Sequence, residues 1–217
     1  MLMNIDLPDK QPFNKPYTIL VNGQYPSHPT ALNKLHTAGT IICTDGSANK
    51  LLENGLAPNV IIGDMDSSTI DQDAFKGLYV KISNQDNTDL DKALEWCKVN
   101  KLSPITVLGT SQLREDHTIG NLMLLANYSD ELDINFVTDY FTITCHQGKR
   151  SFTSFKEQLV SILPVEDIQS ITTEGLEFPL IDEPFPISSR GISNRATGHQ
   201  FIITSSGKTW VFRSHSD

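Results

Sequence analysis

Short apolar runs recur along the chain, each followed by a polar turn and then by helical spacing. Tyr17 to Val21 is the first run, closed by Asn22-Gly23. A polar loop with Pro26, Ser27 and Pro29 leads into a short helical pattern around Ala31 to Leu35, and then to Thr40-Ile41-Ile42-Cys43-Thr44. Helical spacing through Leu51 and Leu52 ends at Gly55, a residue suited to a helix C-terminus because it takes a positive φ without strain. Val60 to Gly63, Leu78 to Ile82, Ile105 to Gly109 and Ile134 to Thr138 continue the series. The last three are separated by longer helical patterns. One has an apolar stripe of Leu90, Ala93, Leu94 and Cys97; the other has a stripe of Ile119, Leu122, Met123 and Ala126. Strands that are apolar on both faces and alternate with helices predict a parallel sheet covered on both sides.

The pattern changes after Tyr140. Tyr140 to His146 alternates, and Gln147-Gly148-Lys149-Arg150 reads as a turn. Leu159 to Leu163 is a strand stopped by Pro164, and Ile168 to Thr173 is another. Gln200 to Thr204 and Lys208 to Arg213 read as two strands joined across Ser205-Ser206-Gly207. No segment here holds helical periodicity for three turns. The expected architecture is an α/β N-terminal domain with a mostly parallel sheet, residues 1–140, followed by a small all-β sandwich domain, residues 141–217.

Charge and cysteine usage narrow the function classes. A formal net charge of −9 and a pI near 5.0 argue against a nucleic-acid binder, which needs a basic face. Cys43, Cys97 and Cys145 are an odd, unpatterned set, which reads as reduced thiols in the cytoplasm. Met1 to Phe13 lacks the apolar segment of a signal peptide, and no run has the eighteen or so apolar residues of a membrane span.

The candidate chemistry gathers where strands end. Val60-Ile61-Ile62 stops at Gly63-Asp64-Met65-Asp66-Ser67. Two carboxylates about 4 Å apart repel by roughly 1 kcal/mol in water and about 4 kcal/mol at an effective dielectric of 20, so a cation belongs between them. Taken alone, the motif reads more readily as a solvated acidic turn. The neighbouring strand ends shift the balance. The second strand runs into Asp45-Gly46-Ser47-Ala48-Asn49. The fourth runs into Asn84-Gln85-Asp86-Asn87-Thr88-Asp89-Leu90-Asp91-Lys92, where Thr88 and Asp91 have capping-box spacing. The fifth runs into Gly109-Thr110-Ser111-Gln112-Leu113-Arg114-Glu115-Asp116-His117, a strand-to-helix loop suited to phosphate, with an arginine fork. In a doubly wound sheet these ends share one crevice. Several acids with one Lys and one Arg there point to Mg²⁺ and phosphoryl-type transfer.

These residues resemble the thiamine pyrophosphokinase family. The resemblance rests on Asp45-Gly46-x-Ala48-Asn49, on Pro58 through Gly63-Asp64-Met65-Asp66-Ser67, on Asp86-x-Thr88-Asp89-Leu90-x-Lys92-Ala93-Leu94, and on Arg114-x-Asp116-His117 with Asn121. Gly175-Leu176-Glu177-Phe178-Pro179-Leu180 and Ser189-x-Gly191-x-Ser193-Asn194 complete it, so that it spans Ile19 to Phe212. It implies a homodimer that transfers a pyrophosphoryl group from ATP, as co-substrate, to the thiamine hydroxyl, with Mg²⁺. Asp64, Asp66 and Asp89 would be the metal acids, and Lys92 and Arg114 would hold phosphates. Asp64 or Asp66 would take the hydroxyl proton. Asp45, Asn49, Gly63, Ser67, Asp86, Thr88, Gly109, Asp116, His117 and Asn121 would line the nucleotide side, and Phe178, Ser193 and Asn194 the thiamine side. An aromatic face suits a cationic thiazolium ring. Two positions depart from the family pattern: Gln112-Leu113 replaces a pair of glycines, and Arg195 stands where an acid is common. The rival readings are a Mg²⁺-dependent phosphohydrolase and a non-catalytic nucleotide- or thiamine-binding homologue.

Overall fold

The computed structural model describes residues 13–64, 75–111 and 114–216. The chain begins with strand β1 (Tyr17–Leu20), helix α1 (Pro29–His36), β2 (Thr40–Thr44), α2 (Ser47–Glu53), β3 (Val60–Gly63) and β4 (Leu78–Lys81). Helix α3 (Asp89–Val99), β5 (Ile105–Leu108), α4 (Glu115–Tyr128) and β6 (Ile134–Val137) follow. All six of these strands pair in parallel, in the spatial order β6-β5-β1-β2-β3-β4. The order reverses beside β1: the chain moves outward through β2, β3 and β4, then returns to place β5 on the other side.

Period-2 alternation explains why the strands are apolar on both faces. Ile19, Ile42, Val60 and Ile62 face a core completed by Leu90, Leu94 and Cys97 of α3 and Leu125 of α4. Leu20, Ile41, Cys43 and Ile61 face the opposite core, completed by Ala31 and Leu35 of α1 and Ala48 and Leu51 of α2. Each fully buried aliphatic side chain of this kind contributes about 1.5–3 kcal/mol.

Strand β7 (Phe141–Thr153) pairs antiparallel with β6, so the ladder runs on without a break into the β-rich region. This region contains β8 (Leu159–Pro164), β9 (Ile168–Glu174), β10 (Glu183–Phe185), β11 (Asn194–Arg195) and β12 (Gln200–Ser214). The long β12 pairs with β7 along its length, with β9 through its first half and with β8 through its second. A third core, including Phe152, Val160, Phe185 and Phe201, fills the space between them. Trp210 Nε1 donates to the Leu122 carbonyl at 3.0 Å, and Lys208 Nζ to that of Ala126 at 2.8 Å, fastening β12 to α4.

Three expectations are corrected. Gln147 to Arg150 is no turn, and Ser205-Ser206-Gly207 does not separate two strands; both lie inside continuous strands. The reason is their placement: Gly148 pairs with Ser205, and the register shifts between Ser205 and Thr209, so the two glycine-containing segments bend together instead of reversing. Ile119 and Met123 are each 55% exposed and are not core. Leu125 and Ala126 carry that contact, because Asn121 is turned inward to donate to the Thr110 carbonyl at 2.9 Å and so sets the rotation of α4.

Asp139, in the turn between β6 and β7, ties down the loop before α1. Its carboxylate accepts from the Ser27 N–H at 2.9 Å, the His28 N–H at 3.0 Å and the Ser27 hydroxyl. Burial pulls the Asp139 carboxyl upward, but these donors outweigh it and leave it below the usual carboxylate range. Its stabilisation is therefore present above the unfolded-chain value of about 3.9 and is lost as pH falls through the lower folded value. Asp139→Ala should cost about 1–3 kcal/mol in urea unfolding at pH 7. The gap from the parent protein should close as the pH is lowered below about 4; a gap that does not depend on pH would contradict this role.

Candidate active site

The carboxyl end of the parallel sheet opens into a cavity of about 290 Å³ at the point where strand order reverses. Its walls come from Val21, Asn22 and Gly23 after β1, Thr44 at the end of β2, Thr88 to Leu90 at the start of α3, and Gly109 to Ser111 after β5. Arg114, His117, Thr118 and Asn121 of the α4 entry close it. A second cavity of about 300 Å³ shares Thr88, His117 and Asn121 with the first and adds Asp86, Asp91 and Asp116.

Two backbone crossings fix this shape. Gly109 has φ +74°, and a methyl group there would overlap the Val21 carbonyl; a methyl at Gly23 would in turn overlap the Gly109 carbonyl. The loops after β1 and β5 therefore touch backbone to backbone, joined by Val21 N–H to Leu108 O at 2.9 Å and Gln24 N–H to Ser111 O at 3.2 Å. At the next strand end, a Cβ at Gly63 would lie 2.6 Å from the Asp45 Cβ, so Gly63 lets the ends of β2 and β3 close on each other. Asp45 is buried there.

The acids are oriented by neighbours. Asp64 Oδ2 accepts from Gln85 Nε2 at 2.7 Å, which draws the ends of β3 and β4 together. Thr88 caps α3, its hydroxyl accepting from the Asp91 N–H at 3.4 Å. The Asp91 carboxylate accepts from the Tyr128 hydroxyl at 2.7 Å. Asp89 is half-buried in the cavity wall, and Lys92 Nζ, itself buried, holds its Oδ1 at 3.1 Å. Lys92 is absent from the lining of both cavities and sits beneath Asp89. Arg114 and Asp116 form an exposed two-pronged pair, and the Arg114 guanidinium holds the Asp116 carboxyl below the usual range. Arg114, at the N-cap of α4, makes no side-chain cap bond; the Asp116 carboxylate instead accepts from the His117 N–H at 3.0 Å, so an anion entering here would meet the Arg114 fork at a helix N-terminus already capped from within.

Of the positions singled out in the sequence, Thr88, Asp89, Gly109, Arg114, His117 and Asn121 meet around the first cavity, and Asp86 and Asp116 around the second. Asp66, Ser67 and the Gln112-Leu113 pair lie outside the described residues. Asn49 lies on α2, one helical turn behind the Asp45 strand end. Phe178 is 63% exposed, and Asn194 is paired with its backbone in both directions, accepting from the Phe178 N–H at 3.1 Å and donating to its carbonyl at 2.7 Å. Ser193 has φ +65°, a strained value for a residue with a side chain. These three belong to the β-rich region and line neither cavity. Arg195 points outward, 3.9 Å from Glu157.

Sequence reasoning missed Asn22, Gly23, Thr44 and the orienting Gln85. Asn22-Gly23 read only as the end of a strand, because its role depends on β5 lying beside β1.

The donor set suits Mg²⁺. No group of three or more His, Cys, Asp and Glu residues converges among the described residues. Asp64 and Asp89 are hard oxygen donors of the kind Mg²⁺ takes beside phosphate and water oxygens; Asp89 lines the first cavity, while Asp45, Gly63 and Asp64 line neither.

Two families match the chain: "Thiamin pyrophosphokinase, catalytic domain" over residues 32–137 and "Thiamin pyrophosphokinase, substrate-binding domain" over residues 140–212. Thiamin pyrophosphokinase 1 of Caenorhabditis elegans is 26% identical, with 91% of this chain and 92% of that protein aligned. The thiamine pyrophosphokinase of Bacillus subtilis (strain 168) is 29% identical over 64% of this chain and 69% of its own length. The crystal structure of the B. subtilis protein superposes with a TM-score of 0.78 at 25% identity, covering 93% of this chain and 99% of that one. That of the Geobacillus thermodenitrificans protein superposes with a TM-score of 0.77 at 26% identity, covering 93% and 98%.

If the Gly23–Gly109 crossing shapes the cavity, Gly109→Ala should destabilise the fold by about 1–3 kcal/mol through its φ and the overlap with Val21. It should also raise the KM for ATP. A variant that matched the parent in both urea unfolding and KM would remove the crossing from the account.

Proposed function

The chain belongs to the thiamin pyrophosphokinase family, and on that premise we propose that it transfers the pyrophosphoryl group of ATP to the hydroxyl of thiamine, giving thiamine diphosphate and AMP. The observation that carries this reading is the cavity at the strand-order reversal, which brings Asp89, Arg114 and the start of α4 to one space. We assign residues 1–140 to nucleotide and Mg²⁺, and residues 141–217 to thiamine, through Phe178, Ser193 and Asn194.

In the reaction the thiamine hydroxyl gives its proton to Asp64 or Asp66 and its oxygen forms a bond to the β-phosphorus, while the bond from that phosphorus to the oxygen bridging it to the α-phosphorus breaks, releasing AMP. Transfer of this kind asks the protein for alignment and charge balance more than for covalent chemistry. Mg²⁺, when bound, neutralises phosphate charge and fixes the phosphate oxygens. Asp64, Asp66 and Asp89 would hold it. Gln85 and Lys92 keep Asp64 and Asp89 in place, so those carboxylates need not reorganise when the polyphosphate arrives. Arg114 exchanges its pairing with Asp116 for phosphate oxygens, for which its planar fork is suited. The Thr110 carbonyl is held by Asn121, which fixes the loop the phosphates pass. The exposed Phe178 ring presents a π-face to the thiazolium cation.

The protein is proposed to work as a homodimer in the cytoplasm. The exposed apolar side chains Phe178, Ile181, Ile187 and Ile192 of the β-rich region support self-association. Three buried free thiols suit a reducing compartment. Among the described residues, no helix is long and apolar enough to cross a membrane.

The test is to incubate the full chain with ATP, Mg²⁺ and thiamine and to resolve the products. AMP and thiamine diphosphate should appear in equal amounts, and Asp89→Asn should lower kcat by about 10²–10³ with circular dichroism unchanged. Nucleotide hydrolysis independent of thiamine would favour a phosphohydrolase instead. Absence of any turnover would favour a binding homologue.

A further inference from the structure

Three of the five arginines sit against a carboxylate: Arg114 on Asp116, Arg190 on Glu183 and Arg195 on Glu157. Arg150 and Arg213 are different, since neither has an acid within ion-pair distance among the described residues. Carboxylates are not scarce, with 26 Asp and Glu against 17 Lys and Arg. Yet these two arginines are brought together. Their guanidinium carbons lie 5.1 Å and 5.4 Å from the centroid of the same Phe152 ring.

The platform beneath them is buried and packed against other rings. Phe152 is buried, stacks on Phe201 at 5.1 Å with 13° between ring planes, and meets the His146 ring edge-on. Arg213 is half-buried, and among the described residues its Nη1 donates to the Thr153 carbonyl at a long 3.4 Å. Its Nε is buried and has no acceptor among the described residues. A desolvated guanidinium donor without an acceptor is costly, and more so beside a second cation, unless something else supplies the acceptor. Burial, and then the charge of Arg150, hold the Arg213 guanidinium below its usual value. Burial and the same Arg150 charge also lower His146, and no carboxylate offsets them at either group.

Two planar forks steadied on one aromatic ring suit the oxygens of a tetrahedral oxyanion. We propose that Arg150 of β7 and Arg213 of β12 form an anion site for a phosphate-bearing ligand over the Phe152 ring of the β-rich region. It is separate from the nucleotide cavity, whose lining contains no residue beyond Asn121. The site does not depend on the reaction proposed above, and its test involves no turnover.

The full-length protein, labelled with ¹⁵N, gives one Nε–Hε signal for each arginine. It is titrated with inorganic phosphate and, separately, with inorganic diphosphate, at constant ionic strength. The Arg213 signal should move saturably while those of Arg190 and Arg195 stay. Tighter response to diphosphate would assign the site to a diphosphate-bearing ligand, and an equal or stronger response to phosphate would assign it to orthophosphate; either supports the site. Because Arg150 is exposed, Arg150→Gln should leave the melting temperature intact while raising the anion concentration needed at Arg213 by roughly tenfold. An Arg213 signal that stays still while Arg114 responds would overturn the proposal. So would an unchanged response in Arg150→Gln.

Discussion

The carboxyl edge of the parallel sheet depends on one close approach, the crossing of the loops after β1 and β5. Strand order reverses there, so helices leave the sheet toward opposite faces and a crevice is left between their starts. The crevice keeps its width because Gly23 and Gly109 let two backbones touch where any side chain would hold them apart. Everything that binds in this region is positioned from that contact. Thr110 and Ser111 extend from it, Asn121 reaches back to the Thr110 carbonyl, and α4 begins beyond it with Arg114 at its entry.

Charge is the second constraint. The chain is acidic overall, and the carboxyl edge of its sheet carries Asp45, Asp64, Asp86 and Asp89, of which Asp89 lines the cavity where a polyanionic co-substrate is proposed to bind. The surrounding bonds show how such an edge is tolerated. Lys92 is buried under Asp89, Gln85 donates to Asp64, and Arg114 faces Asp116, so the acids are held by neighbours and do not merely repel one another. A divalent cation placed among them would reverse the sign of the local field and make phosphate welcome.

Much of this was legible in the sequence because parallel strands covered on both faces announce themselves as short apolar runs. Ile42 and Cys43, adjacent in sequence, serve opposite cores. Strand ends carrying Thr88-Asp89 and Arg114 could likewise be placed at one edge before any coordinates. Asn22-Gly23 could not, because its meaning comes from which strand lies beside it. The segments around Gly148 and Gly207 misled for a local reason: glycine marks a bend as readily as a reversal, and only the ladder between β7 and β12 distinguishes them. Ile119 and Met123 fitted a helical stripe equally well on either side of α4, and the inward-facing Asn121 decided between them.

The central claim is that nucleotide enters the crevice between β1 and β5 with its phosphates toward α4. Backbone amide shifts on adding a non-hydrolysable ATP analogue with Mg²⁺ test it most directly. The account predicts that the amides of Gly23, Gly109, Thr110, Ser111 and Thr118 move together and saturate with one affinity. Saturable shifts confined to other parts of the chain, with these five amides unmoved, would contradict it.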